Sequence, residues 1–250
     1  MAATNELTLY QFAFSHYNEK VRWALDYKGL PSRRENLLPG LHERTVRRLV
    51  GGDATHVPVL RQGDRAIQGS AAILAHLEGL APTPPLFSAD PAEREAAEGW
   101  ARWLDAEIGP AVRLALFHEL LEDPRMAGRM FTTAQSGLKP AFYRRLFPRL
   151  VPMLRERMQI DDESAARARE TVDAGLRRVA LASRETGYLA GGRFGVADLT
   201  AGSLFMPLFF PKEIPFEIPP VASPRLDAWL ESWRGHPGET WVRGLWAKHR

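Results

Sequence analysis

The chain has 250 residues, 45% hydrophobic and 25% charged, an ordinary globular balance for one large domain or two small ones. A formal net charge of +3 is mild, and with no cysteine the chain excludes disulfides, thiolate metal sites and any chemistry on a thiol of its own. No apolar run approaches the roughly 18 residues of a membrane span, and Met1 to Glu6 carry no basic-then-apolar leader.

These absences make a cytoplasmic location the expectation, with no membrane partner and no metal. The arginine clusters Arg33-Arg34, Arg44 with Arg47-Arg48, and Arg144-Arg145 with Arg149 read as solvated faces, so no nucleic-acid partner is expected.

Leu7-Thr8-Leu9-Tyr10-Gln11-Phe12 reads as a strand, and Ala13-Phe14-Ser15 turns the chain. Residues 20–28 have apolar side chains at helical spacing, stopped by Gly29-Leu30-Pro31. A second strand is expected over 35–38 and a basic helix over 41–49. A proline-started strand at 55–60, a turn at Arg61-Gln62-Gly63-Asp64 and a returning strand at 66–68 follow. Gly69-Ser70 then opens a helix over 71–78, closed by Gly79.

Ala81-Pro82-Thr83-Pro84-Pro85 reads as an extended, semi-rigid connector. Beyond it Asp90-Pro91 is an N-cap with proline at the first helical position. Helices are expected at about 91–121, 138–159, 162–186, 196–210, 224–234 and 239–247, a division by periodicity and proline breaks.

Three places carry candidate chemistry. Ser15 stands where a strand becomes a helix. Its plain reading is an N-cap whose hydroxyl accepts a backbone N–H, with Asn18 replying. Its functional reading uses the same unpaired N–H donors and dipole to hold an anion such as a thiolate, or lets the hydroxyl donate to a ligand sulfur. Val57-Pro58 is either an edge-strand proline or a cis bond that presents the Val57 main chain to an extended ligand. Gly69-Ser70 is either an ordinary cap or a second anion site suited to a carboxylate.

In this order the three motifs resemble the glutathione S-transferase superfamily. The resemblance is carried by Ser15-His16-Tyr17-Asn18 followed by Lys20-Val21-Arg22, by His56-Val57-Pro58-Val59-Leu60, by Ile67-Gln68-Gly69-Ser70, and by Phe194-Gly195-Val196-Ala197-Asp198-Leu199. It implies a thioredoxin-like α/β domain over 1–80, a linker over 81–90 and an all-helical domain over 91–250. It also implies a homodimer and a cytoplasmic detoxifying transferase, with glutathione as co-substrate and a small-molecule electrophile as partner. Lyase, isomerase, dehalogenase and peroxidase variants use the same thiolate. The alternative is a non-catalytic ligand-binding or interaction module on that fold.

By the same resemblance, Ser15 and then Tyr17 are the catalytic hydroxyls, with Tyr10 a strand residue. His16 is expected on the helix surface. Glutathione would be held by Ser15, His56, Val57, Pro58, Gly69 and Ser70. The electrophile pocket would be lined by Phe14, Trp103, Arg113, Phe117 and His118. Gly69 stands where the family has Glu or Asp, so a ligand ammonium loses a carboxylate partner. Lowering a thiol pKa by about two units requires roughly 2.7 kcal/mol. A hydrogen bond to a charged group contributes about 1.5–3 kcal/mol and a helix dipole about 0.3–1 kcal/mol. The chain exceeds the usual length of that family, with the surplus expected in 122–160.

Overall fold

The computed structural model describes residues 6–135, 137–214 and 223–250. β1 (Leu7–Gln11) is central in a four-stranded sheet of order β2-β1-β3-β4. It runs parallel to β2 (Ser32–Asn36) and antiparallel to β3 (Val59–Gln62), which pairs antiparallel with β4 (Arg65–Gln68). Strand alternation puts Leu7, Leu9 and Gln11 on the buried face, with Thr8 and Tyr10 half-buried opposite. The polar Gln11 fits there because its amide donates to Asn36 Oδ1 (2.9 Å) and accepts from Arg22 (2.7 Å).

Strand β2 begins three residues earlier than the sequence pattern predicts and stops before Leu37-Leu38. The pair had read as strand because it is apolar, but Leu38 is spent on a separate core. β3 likewise begins at Val59 rather than 55. The helices of this part are α1 (His16–Tyr27), α2 (Glu43–Val50) and α3 (Ser70–Leu80). Gly79 lies inside α3 and does not end it.

Helix α1 is packed on both sides. It lies against α3 and against α10 (Val196–Phe209), every residue of which is buried. Gly202 of α10 permits this approach, since a Cβ there would lie 2.8 Å from Trp23 Cζ3. The start of α10 is pinned by Asp198, which accepts from Leu189 N (2.8 Å) and Gly195 N (3.0 Å). Glycine at the N-cap is tolerated because Asp198 answers the cap backbone.

The segment at 81–87 is clamped. Buried Lys28 donates to Ala81 O (2.7 Å) and Pro84 O (3.0 Å) and pairs with Glu78 (2.6 Å). The Glu78 carboxylate also accepts from Leu86 N and Phe87 N.

The remainder is mostly helical. The expected single helix over 91–121 is two: α4 (Pro91–Trp103) and α5 (Gly109–Leu120), joined by a wider π-helical turn at Leu104–Ile108. A helix absent from the sequence reading, α6 (Pro124–Phe131), starts on an Asp123 cap. The expected 138–159 helix breaks at its prolines into α7 (Leu138–Leu146), a short 3-10 turn and α8 (Val151–Met158). α9 (Asp162–Ala182), α11 (Pro224–Glu231) and α12 (Pro237–His249) complete it. The thioredoxin-like α/β part and the helical part meet the expected fold class.

Helices α6–α8 form a second core, in which Phe131, Tyr143 and Phe147 pack with Leu38, Leu120 and Leu121. Tyr143 Oη donates to Pro39 O (3.0 Å) and Gln135 Nε2 to Leu37 O (3.2 Å), so this core seals the loop after β2.

Candidate active site

Sheet register brings the three motifs to one edge. Tyr10 pairs with Val59, and Val59 pairs with Gln68. The C-terminal end of β1, the N-terminal end of β3 and the C-terminal end of β4 therefore lie side by side. Ser15, His56-Val57-Pro58 and Gly69-Ser70 leave the sheet at that common end. Direct bonds tie two of the loops together: Gly69 N donates to Pro58 O (2.9 Å), and Gln68 Nε2 donates to His56 O (2.8 Å). The Val57–Pro58 bond is cis, as is Thr83–Pro84, which the sequence reading did not single out.

Gly69 has φ +92°, a region that favours glycine, and it caps α3 with buried Ser70 as the first helical residue. A side chain at 69 would have His56 Nε2 as its near neighbour, 3.9 Å from the Cβ. His56 itself is exposed.

Ser15 is the N-cap of α1, in an extended conformation, and its carbonyl accepts from Asn18 N (3.1 Å) and Glu19 N (2.9 Å). Its hydroxyl makes no capping hydrogen bond. The plain capping reading is thus corrected: the backbone turns without help from the side chain, and the half-buried hydroxyl is uncommitted. Asn18 does not reply to it either. Asn18 is wholly buried, and neither amide atom has a partner among the described residues.

Tyr17 is committed elsewhere. Its hydroxyl donates to Asp105 O (2.7 Å) in the π-helical turn, and its ring lies where a Cβ on Gly109 would be, 2.1 Å from Oη. Burial, then the Asp105 charge, pushes the Tyr17 phenol up to about 12. Lys20, fully buried, pairs with Asp105 Oδ2 (2.7 Å) beside it. Tyr10 is a half-buried strand residue.

His16 is not on the surface. It is buried against α5, with Nε2 donating to Gly109 O (3.1 Å). Desolvation, followed by the Arg113 charge, lowers its pKa to about 3, so it is a neutral packing residue.

The candidate pocket residues divide by helix geometry. Phe14 stacks on Phe131 (4.5 Å between centroids), which in turn meets Phe117 (5.5 Å). Gly109, Arg113 and Phe117 are spaced by four and share one stripe of α5. That stripe runs along residues 14–17: Gly109 holds His16, and Phe117 reaches Phe14 through Phe131.

Trp103 and His118 point away from this stripe, which corrects their placement in the pocket. Trp103 carries the Arg178 guanidinium of α9 over its ring at 4.1 Å. His118 follows Phe117 by one residue, about 100° around the helix. It is buried between the carboxylates of Glu119 (3.2 Å) and Asp162 (2.9 Å).

Phe12, His42 and Phe131 complete the wall and were missed. Phe12 stacks near Phe14 (5.8 Å) and meets His42 edge-on (4.8 Å). The surplus length at 122–160 was the available signal for Phe131, but nothing in it marked which residue would face the turn.

An open cavity of about 530 Å³ lies elsewhere, between α10, α11 and α12, lined by Phe209, Asp227 and Arg234 among others. Among the described residues no group of three or more His, Asp or Glu could hold a metal ion, and no helix is long and apolar enough to cross a membrane.

Residues 9–85 match the family model described as glutathione S-transferase, N-terminal domain. The chain is 31% identical over 134 residues to the probable glutathione S-transferase GSTU6 of Oryza sativa subsp. japonica, covering 51% of this chain and 56% of that protein. It is 33% identical over 141 residues to glutathione S-transferase 1 of Dianthus caryophyllus, covering 56% and 63%. The matches thus span less than two thirds of either relative. Among solved structures, a glutathione S-transferase from Methylobacillus flagellatus KT with GSH bound superposes with a TM-score of 0.63 at 16% identity, over 97% of this chain and 95% of that one.

Proposed function

We propose a glutathione transferase of the serine type, a reading supported by the match of residues 9–85 to the glutathione S-transferase N-terminal domain model and by the fold shared with a solved glutathione S-transferase. The thiol of glutathione is deprotonated at Ser15 and attacks a small electrophile. The observation that carries this reading is the uncommitted, half-buried Ser15 hydroxyl at the start of α1, on the sheet edge shared with Pro58 and Ser70.

In the proposed complex the glutathione main chain runs along Val57. The γ-glutamyl carboxylate lies at the N-terminus of α3 with Ser70, and the glycyl carboxylate lies near His56. Gly69 offers the ligand ammonium no carboxylate. The thiol proton leaves to water, and the thiolate is stabilised by a hydrogen bond from Ser15 and by the α1 dipole. A carbon–sulfur bond then forms as the leaving group departs with its electron pair. Tyr17 is set aside, since its hydroxyl already donates to Asp105 O and its phenol is raised. The division into 1–80, 81–90 and 91–250, a homodimeric state and a detoxifying role in the cytoplasm belong to the same proposal.

Turnover of glutathione with a chromogenic aryl halide tests it. Ser15→Ala is expected to lower kcat/KM by about ten- to a hundredfold, the weight of one charge-assisted hydrogen bond. Unchanged turnover in that variant would remove Ser15 from the mechanism.

A further inference from the structure

The electrophile's own chemistry can be read from the stripe on α5. We propose that Arg113 is a specificity-determining residue that takes an anionic group of the second substrate, and that this substrate is an aryl electrophile bearing a carboxylate. The inference rests on the glutathione reading above and deepens it.

Arg113 occupies the middle of the stripe between Gly109 and Phe117, one helical step of about 6 Å from each. Its neighbours in space are therefore the residues flanking Ser15: His16 beneath Gly109, and Phe14 beneath Phe131 and Phe117. The charge of Arg113 is felt at both His16 and Tyr17. It is exposed, and no ion pair or hydrogen bond holds it among the described residues.

Asp105, whose charge is also felt at Tyr17, does not hold Arg113, and its Oδ1 is buried without a hydrogen-bond partner among the described residues. Asp105 Oδ2 holds Lys20. Glu119, about 200° around α5 from the stripe, faces the other way and accepts from Arg169 (2.7 Å) and Ser223 (2.6 Å). Arg22 is paired with Glu19, Arg34 with Asp26 and Arg157 with Glu43. Arg113 is thus an exposed, unpaired guanidinium on the helix stripe that also carries Phe117, whose ring meets Phe131 and through it Phe14 and Phe12.

Those rings offer no hydrogen bonds. They accept a flat apolar body by offset or edge contacts at centroid distances of about 4.5–7 Å. A planar guanidinium at the rim adds a bidentate partner for a carboxylate. One ligand satisfies both features: an arene lying on the phenylalanines, with its acid directed to Arg113 and its reacting carbon toward Ser15. A thiolate is the rival anion, and it would draw on Arg113 whatever the arene carries.

Two product analogues separate these possibilities, S-benzylglutathione and S-(4-carboxybenzyl)glutathione, titrated by tryptophan fluorescence into the wild type, Arg113→Gln and Arg113→Lys. The wild type is expected to bind the carboxylated analogue at least about tenfold more tightly, as one charge-assisted bond implies. That preference should fall to within about twofold in Arg113→Gln and survive in part in Arg113→Lys.

Equal affinities in the wild type, or a preference that persists in Arg113→Gln, would overturn the proposal. So would an equal weakening of both analogues by Arg113→Gln, which would assign the cation to glutathione itself and leave the transferase reading standing. Failure of both analogues to bind the wild type would defeat that reading and the inference together.

Discussion

The turn between β1 and α1 and the helices α6–α8 meet at Phe14, yet they are held by different physics. The turn is built from backbone rules. A strand ends at Gln11, an extended residue at Ser15 starts a helix, and a left-handed glycine at 69 starts another. It leaves the Ser15 hydroxyl uncommitted, while His16 and Tyr17 are bonded to Gly109 and Asp105. The α6–α8 side has no such rules. It exists because Phe131, Tyr143 and Phe147 bury themselves against Leu38 and the end of α5. One side of the cleft therefore leaves a hydroxyl uncommitted, and the other is given over to packing. The two should respond in opposite ways to truncation.

The largest effect is expected on the packing side. Phe131 is 2% exposed and touches Phe14, Phe117 and Phe147. Phe131→Ala should cost about 3–5 kcal/mol of stability in a urea titration, the usual range for a buried aromatic. Ser15→Ala, which deletes no hydrogen bond, should stay within about 0.5 kcal/mol of wild type. If the two costs were similar, the contrast between the two sides would be wrong.

A smaller effect separates the turn from its neighbour in α1 by pH. His16 is neutral when folded, with its pKa lowered to about 3 by burial, and titrates at the ordinary 6.5 when unfolded. A depressed histidine pKa means that the unfolded chain binds the extra proton first. Stability is therefore lost as pH falls below about 6.5 toward 3, by up to about 1.4 kcal/mol per pH unit. Asp198 works against this slope, because burial raises its carboxyl to about 7 and the folded state holds that proton longer. Comparing wild type with His16→Gln isolates the histidine. The variant should lose about 1–2 kcal/mol less between pH 6.5 and 5. Parallel curves would mean that His16 is not the buried neutral group described.

Legibility followed the same division. The order of strands and helices over 7–80, the proline-started strand and the Gly69-Ser70 helix start were readable because each rests on local geometry. The Asp198 cap was legible only through the resemblance carried by residues 194–199. Misplaced boundaries came from local apolarity serving a distant partner, as with Leu38, which extended the reading of β2 but is buried in the core of α6–α8.

Within the candidate site, the sequence placed Ser15 at the helix start. It could not tell that its hydroxyl would be left uncommitted, or that Tyr17 would turn to Asp105. The Tyr17 outcome depends on the π-helical turn at 104–108, nearly ninety residues away. Trp103 and His118 were misplaced for a related reason. Helix periodicity says which residues share a face, but not which face looks at the cleft until α9 has taken the other one. Phe131 was missed because α6 was not read, although Asp123-Pro124 opens it as Asp90-Pro91 opens α4.

The central claim is that Ser15 and the start of α1 activate the thiol of bound glutathione. Since the chain contains no cysteine, thiolate absorbance in the ultraviolet reports the ligand alone. A difference spectrum of the protein titrated with glutathione across pH, with S-methylglutathione as the blank for tyrosine, measures that pKa directly. The account predicts a thiolate band appearing about two units below the free thiol's value in the wild type and in Tyr17→Phe, and returning toward the free value in Ser15→Ala. A band that tracks free glutathione in the wild type, or one abolished by Tyr17→Phe and untouched by Ser15→Ala, would contradict it.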